Sequence, residues 1–315
     1  MNKLKILVTG GAGFIGSHLS DAFLAAGHRV VILDNLSTGD RRNIPAEAEF
    51  VLGDITDRVL VRDLFQRHKF DIVNHHAAQL DVRKSVEDPL FDAKTNILGT
   101  LNLLEAAKEA GGLKRFIFAS TGGAVYGEQE YFPADEAHPT NPISPYGITK
   151  RTIELYLNYY NVIQQMPYTA FRYTNVYGPR QSRQGEAGVV AIFIDRLLAG
   201  QPCTIHGTGE QTRDYVFVGD LVRAHLLEIE HGGAGSHIYN VATTTETDVN
   251  EVFEILSGLI TGGNAKATHG PAKQGEQLRS ICSYSLIHGA LGWSPEISLQ
   301  DGLLQTVEAF KTNGA

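Results

Sequence analysis

Between Thr9 and Gly16 the chain reads Thr-Gly-Gly-Ala-Gly-Phe-Ile-Gly, directly after the apolar run Ile6-Leu7-Val8. Glycines spaced G-x-x-G-x-x-G between a strand and a helix leave no side chain where the backbone turns, so the N–H groups at the helix N-terminus can approach a pyrophosphate. The run Arg29 to Asp34 then reads as a second strand and completes a βαβ unit. Asp34 closes that strand 18 residues after Gly16, where a carboxylate accepts from both ribose hydroxyls of a dinucleotide and repels a 2′-phosphate. Gly10, Gly13, Gly16 and Asp34 therefore predict NAD binding. Arg41 and Arg42, which begin seven residues after Asp34, weaken the discrimination against NADP.

The alternation of strand and helix continues along the chain. Strands are predicted near Phe50–Leu52, over Phe70–His75, Arg115–Ala119 and Tyr168–Tyr173, and helices over Asp57–His68, Pro89–Ala110 and Pro145–Gln165. Such alternation implies an α/β fold with a doubly wound parallel sheet. After about Asn175 the connections become rich in Gly and Pro around shorter elements. Residues 1–175 are expected to form a dinucleotide-binding Rossmann domain, and 176–315 mainly a smaller substrate-binding lobe, with the chain weaving between the two.

Ser144-Pro145-Tyr146-Gly147-Ile148-Thr149-Lys150 opens a helix with a good cap and a proline in its first turn. Tyr146 and Lys150 stand at i and i+4 on one face, and Tyr-x-x-x-Lys occurs only here in the chain. A phenol with a pKa of about 10 is a poor base at neutral pH, but a nearby ammonium and an oxidised nicotinamide stabilise its phenolate. Tyr146 could then take a proton from a sugar hydroxyl.

Composition removes several other functions. With 27 Lys and Arg against 35 Asp and Glu, the net charge is -8 and no long basic run exists, so nucleic acid and anionic membrane surfaces are not expected partners. No apolar stretch approaches the roughly 20 residues of a membrane span. Cys203 and Cys282 are the only cysteines and the N-terminus shows no cleavable apolar segment, which together suggest a reducing cytoplasm. The 12 histidines show no ligand spacing, and no metal site is expected.

These motifs resemble the extended short-chain dehydrogenase/reductase superfamily, and specifically nucleotide-sugar 4-epimerases of the UDP-glucose 4-epimerase kind. Nearly the whole chain takes part. The resemblance rests on Thr9 to Gly16, Asp34-Asn35-Leu36-Ser37-Thr38-Gly39, Gly53-Asp54-Ile55, His76-Ala77-Ala78, Asn96, Ser120 to Gly127, Tyr146 with Lys150, and Arg172 to Arg180. It extends to Arg213-Asp214-Tyr215-Val216 and Gly292-Trp293.

The resemblance implies that Phe14 and Ile15 with the glycines hold the pyrophosphate, Asp34 to Ser37 with Thr38 and Gly39 the adenosine ribose, and Asp54 and Ile55 the adenine. His76, Ala77, Ala78 and Gln79 would hold the middle of NAD, and Lys150 the nicotinamide ribose, with Asn96 and Tyr173 completing the cofactor set. Thr121 would hydrogen-bond the reacting C4 hydroxyl, Ser120 being the alternative in the same run. Thr174 stands where many relatives carry Phe. Asn175 and Arg213 would hold the substrate diphosphate, and the backbone of Thr204-Ile205-His206 the uracil. Glu276 and Arg279 fall in the later substrate segment, and Ser280 borders the C2 substituent, where a small residue leaves room for an N-acetyl group.

The implied reaction is NAD-dependent 4-epimerisation of a UDP-sugar through a transient 4-keto intermediate. A 4,6-dehydratase, a UDP-glucuronate decarboxylase or a UDP-glucuronate 4-epimerase would share the intermediate. Dehydratases carry Asp-Glu and decarboxylases Glu after the catalytic Thr, where this chain has Gly122-Gly123. A non-catalytic NAD-binding regulator is the alternative outside enzymes. The Pro89 and Tyr146 helices are apolar on more than one face, and the resemblance implies a homodimer formed through them as a four-helix bundle.

Overall fold

Strand β1 (Lys5–Thr9) runs through the glycine turn into helix α1 (Phe14–Ala25) and returns as β2 (Arg29–Asp34). Ile6, Leu7 and Val8 of β1 are all fully buried, as a parallel strand covered on both faces requires. The computed structural model describes residues 3–182, 188–233, 235–272 and 277–313. The first half continues with β3 (Glu49–Leu52), α2 (Arg58–His68), β4 (Ile72–His75), α3 (Val82–Glu87), α4 (Pro89–Ala93), α5 (Gly99–Ala110), β5 (Arg115–Thr121), α6 (Pro145–Gln164) and β6 (Tyr168–Tyr173). Local chemistry sets the helix starts. Asp57 accepts from Val59 N and Leu60 N ahead of α2, and Ser144 Oγ accepts from Gly147 N at 3.1 Å ahead of α6.

The helix expected from Pro89 to Ala110 is not continuous. A π-helical turn, Lys94–Leu98, separates α4 from α5 and carries Asn96 inward. The Asn96 amide accepts from Gln79 N and donates to Gln79 O, both at 2.9 Å. These bonds tie the turn to the loop after β4, and apolar periodicity carries no trace of them.

The second half comprises β7 (Asn175–Tyr177), α7 (Val189–Leu198), β8 (Cys203–His206), β9 (Thr212–Arg213), β10 (Tyr215–Phe217), α8 (Val218–His231), β11 (His237–Val241), β12 (Thr247–Asp248), α9 (Val249–Thr261), β13 (Ala267–Gly270), β14 (Arg279–Ser280), α10 (Ser285–Leu291) and α11 (Leu299–Asn313). The central sheet has seven parallel strands in the order β11-β6-β5-β4-β1-β2-β3. Strand order reverses between β1 and β4, which places a ligand crevice at their C-terminal ends. Strand β11 and helix α8 come from beyond residue 175 and return to this sheet.

One face of the sheet packs α2, α5 and α6 through residues such as Leu64, Leu103, Ile153 and Leu157. The other packs α1, α8 and α10 through Leu19, Phe23, Ala224 and Ile287. Trp293 is fully buried on that second face, and its Nε1 donates to Asp220 O at 2.9 Å. A third core joins α7, α9 and α11 around Phe193, Phe253, Leu303 and Phe310.

Candidate active site

The glycines mark where backbone must approach backbone. Gly10 has φ +70°, and a Cβ there would lie 2.7 Å from Ala77 N, on the loop after β4. A Cβ on Gly16 would lie 2.2 Å from Gly10 O. Gly13 is the N-cap of α1 and supplies no capping side chain, so the N–H groups of the first turn face the crevice at the switch point. Phe14 and Ile15 begin that helix.

Asp34 is buried beside this turn. Its Oδ2 accepts from Ala12 N at 3.0 Å and its Oδ1 from Leu36 N at 2.8 Å, which fixes the carboxylate while each oxygen keeps acceptor capacity. A Cβ on Gly39 would come within 3.0 Å of Asp34 Oδ1. The two arginines that clouded the choice of dinucleotide are otherwise engaged: Arg42 is paired with Asp40, and Arg41 lies over the ring of Phe50 at 5.1 Å. Asp54 is linked to the same region, its Oδ2 accepting from Asn35 Nδ2 at 2.7 Å, and Ser37 N donates to Asn35 Oδ1. Ile55 is buried against α5, near Gly99.

Helix α6 delivers the Tyr–Lys pair to the end of β5. Lys150 is buried, donates to Ala119 O at 2.7 Å, and its Nζ lies 5.7 Å from the Tyr146 ring centroid. Burial pulls its pKa down to about 8, against the carboxylates of Asp92 and Glu154, which raise it. Tyr146 is half-buried, with its backbone N donating to Ser85 Oγ at 3.2 Å.

The structure separates the two candidate hydroxyls. Ser120 Oγ donates to Glu154 Oε1 at 2.6 Å, and Glu154 is held by Arg172 at 2.7 and 2.9 Å and by Arg151 at 3.1 Å. Ser120 is thereby part of a buried ion-pair network. Thr121, the last residue of β5, makes no side-chain hydrogen bond among the described residues. After it, Gly122 N donates to Tyr173 O at 2.7 Å, and a Cβ on Gly122 would lie 3.0 Å from Cys282 Sγ.

A buried polar chain runs beneath the crevice. Asn74 Nδ2 meets His225 Nδ1 at 2.8 Å, His225 Nε2 meets Tyr173 OH at 2.6 Å, and Tyr173 OH meets His76 Nε2 at 3.0 Å. Burial pushes the pKa of His225 well down and that of His76 to about 3, so both rings are neutral. With Asn74 donating, His225 carries its proton on Nε2, Tyr173 donates onward, and the proton of His76 sits on Nδ1. Reversing the Asn74 amide would bury two unpaired N–H donors in place of one oxygen. The His76 Nδ1 is itself buried without a partner among the described residues, next to Ala77 at the glycine turn. A donor of this kind and a glycine cradle with no room for side chains fit a dinucleotide. Asn74 and His225 carry no sequence signal, because only the packing of α8 on the sheet brings them to Tyr173.

In the second half of the chain, β9 and β14 set Arg213 opposite Ser280, which is 3% exposed. Asn175 is exposed on β7, and its N–H donates to Asp214 O. Thr204 and His206 are exposed on β8, whereas the Ile205 side chain belongs to the lobe's core. Strand β8 pairs with β13, and the Gln211 side chain connects it toward β9 by donating to His206 O. The Arg279 guanidinium is held by Glu246 at 2.8 and 3.0 Å and lies over Phe132. Glu276 lies outside the described residues. Ala78 and Thr38 sit in the loops lining the crevice, after β4 and β2.

The profile of the NAD dependent epimerase/dehydratase family matches residues 6–242. A UDP-glucose 4-epimerase of Mycolicibacterium smegmatis is 42% identical over 313 residues, spanning 98% of this chain and 99% of that protein. The crystal structure of a Thermotoga maritima UDP-glucose 4-epimerase with UDP-glucose superposes with a TM-score of 0.96 at 45% identity, covering 99% of this chain and 100% of that one. A Thermus thermophilus UDP-glucose 4-epimerase in complex with NAD gives a TM-score of 0.91 at 41% identity, with 98% and 99% covered. The chain belongs to this family. It is an isomerase of the extended short-chain dehydrogenase/reductase type, a nucleotide-sugar epimerase whose cofactor is NAD.

Proposed function

We propose that the chain interconverts UDP-glucose and UDP-galactose by inverting C4 of the sugar. The observation that carries this reading is the hydroxyl of Thr121 at the end of β5, unengaged among the described residues, on the strand whose Ala119 O accepts from Lys150, and followed by two glycines. Thr121 holds the C4 hydroxyl. Tyr146 takes its proton, and the Lys150 ammonium stabilises the resulting phenolate. NAD held at the glycine turn would supply a reversible hydride acceptor for C4, so the cycle carries no net oxidation. Tyr146 gives the proton back to the C4 oxygen after the 4-keto sugar has turned its other face to the cofactor site. Elimination or decarboxylation would require a further acid–base side chain after Thr121, and Cys282 Sγ at 3.0 Å crowds the Gly122 position against one.

In this reading residues 1–175 carry the cofactor and 176–315 mainly the nucleotide sugar. Arg213 and Asn175 hold the diphosphate, and β8 reads the uracil through its backbone. Ser280, small and set opposite Arg213, leaves room for an N-acetyl group at C2. The outward faces of α4 and α6 support a homodimer. Leu155, Tyr159, Val162 and Ile163 are 49–62% exposed, and Leu90 is 82% exposed, a contiguous apolar display that marks an interaction surface. No described helix is long and apolar enough to cross a membrane. Cys203 and Cys282 are free thiols, in keeping with a reducing cytoplasm.

The test is proton NMR of the purified protein with UDP-glucose and no added reductant. The anomeric signal of UDP-galactose should appear, and should be absent with Tyr146→Phe. A 4-keto-6-deoxy or decarboxylated product from any nucleotide sugar would overturn the assignment.

A further inference from the structure

Lys150 is a buried ammonium whose one protein hydrogen bond among the described residues goes to a neutral carbonyl, Ala119 O. A charge so placed needs a counter-charge nearby, or it loses its proton. The groups around it come from four elements. On α6 itself stand Tyr146 and Glu154, but Glu154 is already neutralised by Arg172 and Arg151 and accepts from Ser120. Strand β5 contributes Ala119 O and the ring of Phe118, 4.8 Å from Nζ. His75 and His76, at the end of β4, are neutral because burial depresses both, and the Lys150 charge depresses them further. The fourth element is α4, which carries Asp92.

Asp92 is fully buried and forms no ion pair among the described residues. Its Oδ1 accepts from Gln79 Nε2 at 3.1 Å and from Asn96 Nδ2 at 3.0 Å. Its Oδ2 is buried and accepts from no group among the described residues. The same Asn96 Nδ2 reaches Thr149 Oγ1 at 3.3 Å, so the amide bridges the carboxylate to the residue adjoining Lys150. A buried carboxylate with a spare oxygen and a buried ammonium that forms no ion pair among the described residues thus belong to one cluster, joined through the Asn96 amide of the π-helical turn.

We propose that Asp92 is a positioning residue of the catalytic pair: its carboxylate is the counter-charge that keeps Lys150 protonated in the folded protein. This rests on the epimerase reading for its catalytic consequence only. The electrostatic coupling is a property of the fold, and Asp92 acts on the reaction through Lys150 without touching the substrate. The attraction of Asp92 raises the pKa of Lys150 against the burial that lowers it. Removing that charge therefore drops the pKa further, and the ammonium is lost at lower pH.

The test is Asp92→Asn, which keeps an Oδ1 acceptor for Gln79 and Asn96, removes the charge, and puts an amide NH2 in place of the buried Oδ2. Two readouts are compared with the parent: the pH profile of kcat, and the titration of the Lys150 Cε signal in 13C-lysine-labelled protein, assigned through Lys150→Arg. The alkaline limb and the Cε titration should both move down by about one pH unit or more, with NAD content near the parent's and the variant folded at the assay temperature. Unmoved titration in the folded variant would overturn the proposal, and a changed Tm with unmoved titration would make Asp92 purely structural. If the parent epimerises no UDP-sugar, the proposed function fails, while the Cε titration still decides the coupling.

Discussion

Ser120 Oγ lies 2.6 Å from Glu154 Oε1, and this one hydrogen bond sets it apart from Thr121, whose hydroxyl no described residue engages. Glu154 is the fully buried anion that Arg172 clamps, so Ser120 completes a charge network and its hydroxyl is already engaged. Its neighbour Thr121 alternates to the other side of β5, as successive strand residues must, and ends the strand opposite Tyr173.

Thr121→Val should lower kcat by about 10²-fold or more with little change in Tm, because it removes a hydrogen bond made to the reacting group. Ser120→Ala should reverse that pattern. Loss of a hydrogen bond to a buried carboxylate costs about 1.5–3 kcal/mol, read as a lower denaturation midpoint, with kcat within about tenfold of the parent. Steady-state kinetics beside denaturant unfolding separate the two, and a large kcat loss in Ser120→Ala would reverse the assignment of the hydroxyls.

Lys150 predicts an alkaline limb in the rate. Burial holds its pKa near 8, below the ordinary 10.5 of a lysine, so the ammonium is present below pH 8 and is lost as pH rises through it. The phenolate of Tyr146 then loses its stabilising charge and kcat falls. Lys150→Met should remove this limb and leave a low rate that does not decline across pH 7 to 9.5.

Ser280 sits opposite Arg213 and is buried, so a larger residue fills space on the substrate side. Ser280→Tyr should depress kcat/KM for UDP-N-acetylglucosamine at least tenfold relative to UDP-glucose, a difference of about 1.4 kcal/mol. An equal loss for both substrates would remove Ser280 as the element that admits the acetyl group.

The outer face of α6 predicts the assembly state. Leu155→Glu combined with Val162→Glu should yield a monomer in sedimentation velocity at concentrations where the parent is a dimer, since charges buried at such an interface are strongly unfavourable. A monomeric parent at micromolar concentration would sink the dimer.

Much of this protein is legible along the chain because its dominant constraints are local. The glycine spacing, the strand-end Asp34 and the Tyr146–Lys150 step each join residues within one βαβ unit or one helix turn, and the structure forms the predicted strand–turn–helix and capped helix around them. What escaped the sequence arises from contacts between distant segments. The π-helical turn exists because Asn96 bonds the backbone of Gln79, 17 residues away. The seventh strand, β11, joins the sheet because the chain returns after residue 175. Ser120 and Thr121 are adjacent hydroxyls of nearly the same chemistry. Only the burial of Glu154 and Arg172 beside one of them tells them apart, since the energy of a buried charge depends on what surrounds it in space.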